Sequence, residues 1–303
     1  MSGASTCILG NVSIDDLVFA DGTTRWRVPG GNAIYAALGV AVWAGRPAII
    51  APCGTDYPEE RLAGRVDLTH CRRTERTLRN WGLYEEDGSR SFVFRRHTRD
   101  WQAFSPTAND VSGSWQYGHI APLPWHLQQE LAVELRAHGA QLISLDLDDR
   151  HLTADQGGSL RALLARLDLF LPSRQDTEAL FPGTTPLEAM RRIRDLAPDL
   201  PVIAVKCGAD GVMLHDRDSA DYLAIPSIAG QVADPTGAGD AFCGGMLAGL
   251  ADTGSAQQAA LRGSVSASFA VEALGPDGLV AADRDEALKR LTLLQTRVRA
   301  ATF

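Results

Sequence analysis

Short apolar runs alternate with longer helical patterns along almost the whole chain, and few folds are compatible with that rhythm. The apolar runs have the length of buried strands and lie at 7–10, 48–51, 119–121, 142–145, 169–171 and 202–205. Helical patterns occupy 32–44, 125–138, 156–167, 186–196 and 239–252, and an amphipathic helix is predicted at 284–299. Such alternation is typical of a parallel sheet covered by helices on both faces. The sequence therefore predicts an α/β fold of three layers, α/β/α, with a mostly parallel central sheet.

Two segments, at about 16–28 and 73–98, do not follow this rhythm. Their residues alternate between apolar and polar, as in Ser91–Phe94, and Asp87–Gly88 supplies a turn signal in the second segment. The pattern predicts antiparallel strands outside the main sheet. Because no linker or repeat interrupts the chain, we expect one domain over residues 1–303 with these two segments inserted.

The composition predicts a cytoplasmic protein that does not bind nucleic acid. The chain has 303 residues, 45% hydrophobic and 22% charged, as is ordinary for a globular protein. Its formal net charge of −8 argues against nucleic acid as a partner. Five cysteines without a C-x-x-C pair fit reduced thiols. There is no leader-like N-terminus and no run of about 18 apolar residues, so neither export nor membrane insertion is predicted.

The heptapeptide Asp234–Asp240, with the sequence DPTGAGD, carries the clearest chemical signal. Gly237, Ala238 and Gly239 have no bulky side chain, so their backbone N–H groups can close around an anion at the start of a helix. A carboxylate at Asp240 would repel a phosphate bound there, so its presence indicates a chemical role. Taking the proton of an attacking hydroxyl, while the amides hold the transferring phosphoryl group, is such a role. The alternative is a turn with an aspartate N-cap.

This heptapeptide resembles the D-[TP]-[TV]-G-A-G-D signature of the ribokinase-like (PfkB) carbohydrate kinase family. Further motifs match in the family's order over nearly the whole chain. The segments that resemble the first strand, the double-glycine sugar loop, the G-x-D motif and the nucleotide-side turn are Gly10–Asp15, Pro29–Ala33, Gly54–Asp56 and Val205–Gly211. The resemblance implies a ribokinase-like fold in which segments 16–28 and 73–98 form a small β-sheet lid over the sugar.

The same resemblance implies a kinase that transfers phosphate from ATP to a hydroxyl of a small sugar or sugar acid. The amides of residues 237–240 would form the anion hole, and Asp240 would be the general base. The residues expected to bind the sugar are Asp15, Gly30, Gly31, Asn32 and Arg150, and those expected at the nucleotide are Lys206, Gly208 and Gly211. For Asp15, a cap at the end of a strand is the alternative interpretation.

Two positions are predicted to help bind cations. Pro172–Asp176 occupies the place of the family's P-N-x-x-E motif, which implies that Asp176 helps to hold Mg²⁺ through water. Helix capping by Ser173 is an alternative for this segment. Asp234 matches a side chain that binds a monovalent cation in many relatives, which implies a K⁺ site, and bracing of the turn explains it equally well.

Two departures from the family's pattern concern the ligand sites. Tyr35 stands where the sugar loop usually has Asn, so Asn32 and Tyr35 are expected to reshape the floor of the sugar site. Gly263 stands where many relatives have Asn near the adenine. The resemblance therefore implies adenine contacts that are apolar or come from the backbone.

The class of acceptor stays open. Asp146–Arg150 resembles the D-x-N-x-R of fructokinase-like and ketodeoxygluconate kinase-like members, which favours a ketose or a sugar acid. Arginines of the lid segments could grip a carboxylate or phosphate, or form a solvated face. Trp81, Tyr84 and Phe92 could stack on a base, so a nucleoside kinase is an alternative, as is a non-catalytic sugar-binding relative.

The lid segments also bear on assembly. Their alternation leaves one apolar face uncovered, and covering it with a second copy predicts a homodimer through the lids. Asp16, next to the sugar-binding candidate Asp15, is expected to face solvent or the lid.

Overall fold

The computed structural model of the protein describes residues 6–86, 89–95, 100–148 and 157–301. Over these ranges it contains a nine-stranded, a four-stranded and a two-stranded sheet. The strands are β1 (Thr6–Leu9), β2 (Ser13–Val18), β3 (Thr24–Gly30), β4 (Ala48–Ile50), β5 (Pro52–Gly54), β6 (Arg72–Thr74), β7 (Leu78–Tyr84), β8 (Arg90–Phe94), β9 (Tyr117–Ile120), β10 (Leu142–Leu145), β11 (Leu169–Phe170), β12 (Val202–Lys206), β13 (Val212–Asp216), β14 (Tyr222–Ile225) and β15 (Arg299–Ala300).

Each helical pattern of the sequence corresponds to a helix within the described ranges. The helices are α1 (Asn32–Ala41), α2 (Trp125–Ala137), α3 (Gly157–Leu164), α4 (Arg174–Leu180), α5 (Pro186–Leu196), α6 (Ala238–Thr253), α7 (Ala256–Val271), α8 (Asp277–Val280) and α9 (Arg284–Gln295). The prediction of a helix to residue 299 was wrong. α9 ends at Gln295, and the chain then forms β15, whose backbone groups pair with β14 at the sheet edge. In this described part of the chain, no helix could span a membrane.

The nine-stranded sheet has the order β15-β14-β13-β12-β11-β10-β9-β1-β4. The strands from β12 to β4 run parallel, and β13, β14 and β15 run antiparallel at one edge. Because side chains alternate between the faces of a strand, Ile8 packs in one core, whereas Cys7 and Leu9 pack in the other. The first core includes α1, α6, α7 and α9, and the second includes α2, α3 and α5. These three layers confirm the predicted fold class.

The four-stranded sheet, called the small sheet below, has the order β3-β2-β7-β8. Its strands lie in and beside the two predicted segments, with β2 beginning at Ser13 and β3 ending at Gly30. The pairs β2–β3 and β7–β8 are antiparallel as predicted, whereas β2 and β7 pair in parallel. These two strands come from separate insertions, so no tight turn imposes an antiparallel pairing on them. The predicted turn at Asp87–Gly88 lies outside the described residues.

Polar residues gather at the edge where the parallel strands end. Asn11 follows β1, Asp146 follows β10, Ser173 follows β11 and Lys206 ends β12. Ligands of open α/β sheets bind in the crevice outside this edge. Because β2 begins four residues after β1 ends, the small sheet lies at the same edge.

Candidate active site

The heptapeptide Asp234–Asp240 forms a tight turn that leads into α6. Gly237 is the N-cap of this helix, with a φ of 76° that few other residues adopt. A β-carbon on Gly237 would lie 2.1 Å from the ring of Tyr35, so only glycine fits against α1 here. The first intrahelical donor is the N–H of Ala241, which donates to the Gly237 carbonyl at 2.9 Å. The N–H groups before it and the helix dipole make this turn a site for an anion.

Asp240 lies in the first turn of α6, where part of its side chain remains accessible. The surrounding protein nevertheless buries it enough to raise the pKa of the carboxyl to about 8, and Asp146 adds to this rise while Lys206 opposes it. A carboxyl with such a pKa can accept a proton near neutral pH. The turn thus brings an anion-binding helix N-terminus and a strong carboxylate base together.

Lys206 and Asp146 form a buried ion pair beside this turn. Nζ of Lys206 donates to Oδ2 of Asp146 and lies 3.6 Å from Sγ of Cys243 in α6. Burial disfavours the ammonium most strongly, but Asp146, Cys243 and Asp176 together outweigh burial, and the pKa of Lys206 lies above its ordinary value. Burial also raises the pKa of Asp146 to about 6, against the attraction of Lys206. Both groups are therefore charged at neutral pH.

A cavity of about 510 Å³ lies between the turn after β12 and helices α6 and α7. All three predicted nucleotide residues line it: Lys206, Gly208 and Gly211. Ala238 and Gly239 of the anion-binding turn line it too, so the two predicted motifs meet in one cavity. Much of the remaining wall is apolar and consists of Ile228, Val232, Phe242, Ala267 and Val271. This wall could enclose the flat face of a base.

The expected place of Gly263 beside the adenine needs a correction. A β-carbon on Gly263 would lie 2.7 Å from the ring of Phe242, so this glycine serves the close packing of α7 against α6. Among the described residues of α7, those that line the cavity are Ser264, Ala267, Ser268 and Val271. The lining residue nearest in sequence to Gly263 is therefore Ser264, on the next position of the helix.

On the side of the small sheet, Asp15 is held by two hydrogen bonds. Its Oδ1 accepts from Oγ of Ser13 at 3.0 Å and from Nδ2 of Asn80 at 2.9 Å. A β-carbon on Gly30 would lie 2.1 Å from Oδ2, so glycine is required opposite this carboxylate. Burial raises the pKa of Asp15 to about 6 despite these hydrogen bonds, and Asp16 and Asp234 raise it further. Asp15 lies within β2, so the alternative of a cap at a strand end is wrong.

The sugar loop is braced by Asn32. Oδ1 of Asn32 accepts from the backbone N–H of Asn11 at 2.7 Å, and Nδ2 donates to the carbonyl of Pro122 at 2.7 Å. Asn32 therefore joins the ends of β1 and β9 to the start of α1, with Gly31 as the helix N-cap. A ligand could use only the remaining amide hydrogen and lone pair of Asn32.

Two arginines of the small sheet lie on the face opposite Asp15. Asp16, which points the other way from β2, accepts from Nη2 of Arg79 at 3.1 Å and from Nη1 of Arg95. Asp16 is only 1% exposed, so of the two expectations for it solvent was wrong, and contact with the lid is what the structure shows. A buried carboxylate needs compensating charge, and the two guanidinium groups supply it. The predicted sugar ligand Arg150 lies outside the described residues.

The candidate magnesium residue Asp176 is buried and forms a capping box with Ser173, the N-cap of α4. Oγ of Ser173 accepts from the backbone N–H of Asp176 at 3.2 Å, which is the predicted capping by Ser173, and Oδ2 of Asp176 accepts from the backbone N–H and from Oγ of Ser173, both at 2.6 Å. Asp176 also lines a second cavity of about 320 Å³, together with Asp146, Asp148 and Lys206. Carboxylates around a cavity suit Mg²⁺ held through water. Within the described ranges, however, no three acidic, His or Cys side chains cluster closely enough to bind a metal directly.

The candidate monovalent-cation residue Asp234 braces the turn. Oδ1 accepts from the backbone N–H of Thr236 at 2.9 Å, and Oδ2 accepts from the hydroxyl of Tyr84 at 3.0 Å. Tyr84 belongs to β7, so this contact joins the small sheet to the anion-binding turn. The carbonyl of Val271 at the end of α7 accepts from the N–H groups of Ala233 and Asp234.

Sequence reasoning missed three contacts of the site. The Lys206–Asp146 pair joins residues 60 positions apart. The one feature of the sequence that could have drawn attention to Lys206 is the rarity of lysine, which occurs only at 206 and 289. The contact of Tyr84 with Asp234 spans 150 positions, and no local pattern indicates it. The third contact is that of the Tyr35 ring with Gly237 of the anion-binding turn, in addition to the expected place of Tyr35 at the sugar floor.

Comparisons with known proteins agree with this geometry. The family model described as pfkB family carbohydrate kinase matches residues 8–281. A cytidine kinase from Thermococcus kodakarensis is 27% identical over 248 residues, which are 80% of this chain and 87% of that protein. A fructokinase from Escherichia coli is 28% identical over 276 residues, with coverage of 83% and 86%. The structure of a putative ribokinase II from E. coli with ATP and Mg²⁺ has a TM-score of 0.75 at 18% identity, with coverage of 96% and 99%.

The fold and the anion-binding turn define a ribokinase-like kinase. The chain belongs to the PfkB family of carbohydrate kinases. The predicted family, fold and kinase activity are thereby confirmed. The relatives include both a nucleoside kinase and a sugar kinase, so the acceptor has to be argued from the site itself.

Proposed function

We propose that the protein transfers the γ-phosphoryl group of ATP to a hydroxyl of a small sugar or sugar acid. The observation that carries this proposal is the position of Asp240 at the N-terminus of α6, beside a cavity that suits a nucleotide. A pure binding protein would gain nothing from a strong base at a phosphate site. We therefore propose a catalyst rather than a non-catalytic sugar-binding relative.

In the proposed reaction, Asp240 takes the proton of the acceptor hydroxyl. The acceptor oxygen then forms a bond to the γ-phosphorus while the bond to the β,γ-bridging oxygen breaks, and ADP leaves. The amides of residues 237–240 hold the oxygens of the transferring group and stabilise the charge on them. Asp15 accepts a hydrogen bond from another acceptor hydroxyl and thereby orients the attacking one.

Asp176 and Asp148, on the wall of the second cavity, would hold Mg²⁺ through water. When bound, the ion would neutralise part of the charge on the phosphates. A K⁺ ion held by Asp234 would act in the same direction. Because both carboxylate oxygens of Asp234 already accept hydrogen bonds, we propose K⁺ as an activator and not as a requirement.

Arginines lie on both faces of the small sheet and do not distinguish a neutral sugar from a sugar acid or sugar phosphate. Arg79 and Arg95 are engaged by Asp16 on the far face of the small sheet, so neither is placed to grip an acceptor carboxylate. The near face carries Arg90, which pairs with Tyr84 across β7 and β8, together with Asp15 and Asn80, whose carboxylate and amide suit hydroxyl groups.

A nucleoside is the second candidate, because the near face also carries aromatic rings. Tyr84 lies on the same face of β7 as Asn80, which contacts Asp15, and its ring centroid is 5.0 Å from that of Phe19. Such rings could pack against the base of a nucleoside whose ribose hydroxyls meet Asp15. The cytidine kinase among the relatives agrees with this candidate.

We also propose a homodimer through the small sheets. The face opposite Asp15 exposes Trp26, Leu83 and Val93 by 56%, 39% and 48%. Trp26 contacts Trp81 edge to face, Trp81 pairs with Val93, and Leu83 lies two residues further along β7, so these side chains lie side by side on this face. A second copy of this apolar patch would cover it.

A coupled assay of ADP release tests the proposed activity. Purified protein with Mg-ATP is offered neutral sugars, sugar acids, sugar phosphates and nucleosides at matched concentrations, with Asp240→Asn as the inactive control. We expect turnover with a sugar, a sugar acid or a nucleoside, and the variant should lack this turnover. Release of ADP that no acceptor increases would contradict the proposal.

A further inference from the structure

The buried ammonium of Lys206 lies where the two cavities of the site meet. Lys206 lines both the 510 Å³ cavity that suits the nucleotide and the 320 Å³ cavity bordered by Asp146, Asp148 and Asp176. Its side chain is only 11% exposed. A charged lysine is rarely buried without a task, because removing an ammonium from water is costly even when it is paired.

The same ammonium lies beside the anion-binding turn. A β-carbon built on Gly239 would lie 3.5 Å from Nζ of Lys206, so the ammonium and the amides at the start of α6 border the same space. The charge of Lys206 also lowers the pKa of Asp240, which burial raises. The apolar wall that could hold a base consists of other residues, such as Val232 and Ala267. Lys206 is therefore at the phosphate part of the cavity and not at the base part.

Asp146 keeps this ammonium charged and in place. Its Oδ2 accepts from Nζ of Lys206, and its Oδ1 accepts from the backbone N–H of Leu147 at 2.9 Å, which fixes the carboxylate at the end of β10. An ammonium has three hydrogens, so the one that binds Asp146 leaves two for other acceptors. The sulfur of Cys243, at 3.6 Å, is a weak acceptor that a phosphate oxygen would readily replace.

We propose that Lys206 binds an oxygen of the γ-phosphate and stabilises the charge on the phosphoryl group during its transfer, with Asp146 as the residue that positions it. The inference rests on the proposed ATP-dependent function and deepens it. It assigns the contact to the γ-phosphate specifically. It also gives Asp146 a role toward the nucleotide instead of toward the acceptor.

The test compares two nucleotides that differ at the γ-phosphate and needs no acceptor. Calorimetry with Mg²⁺ gives the affinities of the wild type and of Lys206→Met for ADP and for the non-hydrolysable analogue AMP-PNP. We expect Lys206→Met to weaken AMP-PNP by about 10- to 100-fold, the size of one charge-assisted hydrogen bond, and to change ADP by less than about threefold. Lys289→Met is the matched control, because Lys289 is exposed on α9, and it should change neither affinity.

Lys206→Met leaves the carboxylate of Asp146 buried without its partner, which could weaken folding. The double variant Lys206→Met/Asp146→Leu removes both charges, and it should fold while still lacking the preference for AMP-PNP over ADP. Asp146→Asn should reduce that preference by a smaller factor and leave ADP binding intact. A ratio of AMP-PNP to ADP affinity that stays at the wild-type value in the folded variants would overturn the proposal. If the wild type bound neither nucleotide, the ATP-dependent function itself would fail.

Discussion

Lowering the pH should inactivate the enzyme well above the range of an ordinary aspartate. The base has to be a carboxylate, and burial raises the pKa of Asp240 to about 8. The active form is therefore populated above pH 8 and is lost as the pH falls through that value. With a pKa of about 8, about one tenth of Asp240 is ionised at pH 7 and about one hundredth at pH 6. The value of kcat/KM should fall about tenfold per pH unit over this range.

The neighbouring charges define the shape of the profile. Asp146 raises the pKa of Asp240, and Lys206 lowers it, so Lys206→Met should move the acid limb to still higher pH. Asp15 has a pKa of about 6, and its protonation would remove a hydrogen-bond acceptor for the sugar. The logarithm of kcat/KM should therefore change with a slope of about one between pH 8 and pH 6, and of about two below that.

The assay measures kcat/KM for the acceptor by coupled ADP release at saturating Mg-ATP, from about pH 5.5 to pH 9. Enzyme held at each pH and returned to about pH 8.5 should recover its activity, which separates titration from unfolding. A kcat/KM that stays constant between about pH 6.5 and pH 8.5 would refute the assignment of Asp240 as a base with a raised pKa.

Three further predictions concern the surroundings of the site. Tyr84→Phe removes the hydrogen bond between the small sheet and Asp234. In steady-state assays kcat should fall by about 2- to 10-fold, which is the size of one neutral hydrogen bond. An unchanged kcat would show that this contact does not contribute to turnover. Potassium should raise the rate over sodium at equal ionic strength, and Asp234→Ala should abolish the difference; equal rates in the wild type would leave Asp234 with the bracing role alone. Light scattering should give a dimer at micromolar concentration, and Trp26→Asp together with Val93→Asp should give a monomer, because charges would have to be buried in the patch; a wild-type monomer with full activity would exclude the dimer.

Local sequence patterns predicted much of the fold, because a strand that is covered on both faces of a parallel sheet needs an apolar side chain at each position. Runs such as Val202–Val205 lie in strands with both faces covered, and they are apolar throughout for that reason. The end of the last helix was predicted wrongly, since pairing with β14 beyond Gln295 depends on a distant strand. The burial of Asp16 could not be predicted from a local pattern for the same reason, because it depends on arginines that lie in β7 and at the end of β8.

The chemistry of the site was predictable where one contiguous segment contains it. Gly237 and Asp240 share a single turn, so the anion hole and its base could be inferred together. The partner of Lys206 could not be inferred in this way, because Asp146 lies 60 positions away in the sequence, at the end of another strand. Asp146 was noted only as the start of a motif that favours a ketose or a sugar acid, whereas its carboxylate is bonded to the lysine of the nucleotide cavity.

The central claim is that Asp240 accepts the proton of the acceptor hydroxyl, and Asp240→Asn tests it most directly. Asparagine keeps the size and hydrogen bonding of the side chain but cannot take up the proton. We predict that kcat falls by ~10²–10⁴, while calorimetry shows AMP-PNP binding that is unchanged or tighter, because a negative charge beside the phosphates is gone. Asp252→Asn, an exposed change on the same helix, should keep full activity. If Asp240→Asn retained more than about a tenth of the wild-type kcat, Asp240 would not be the general base.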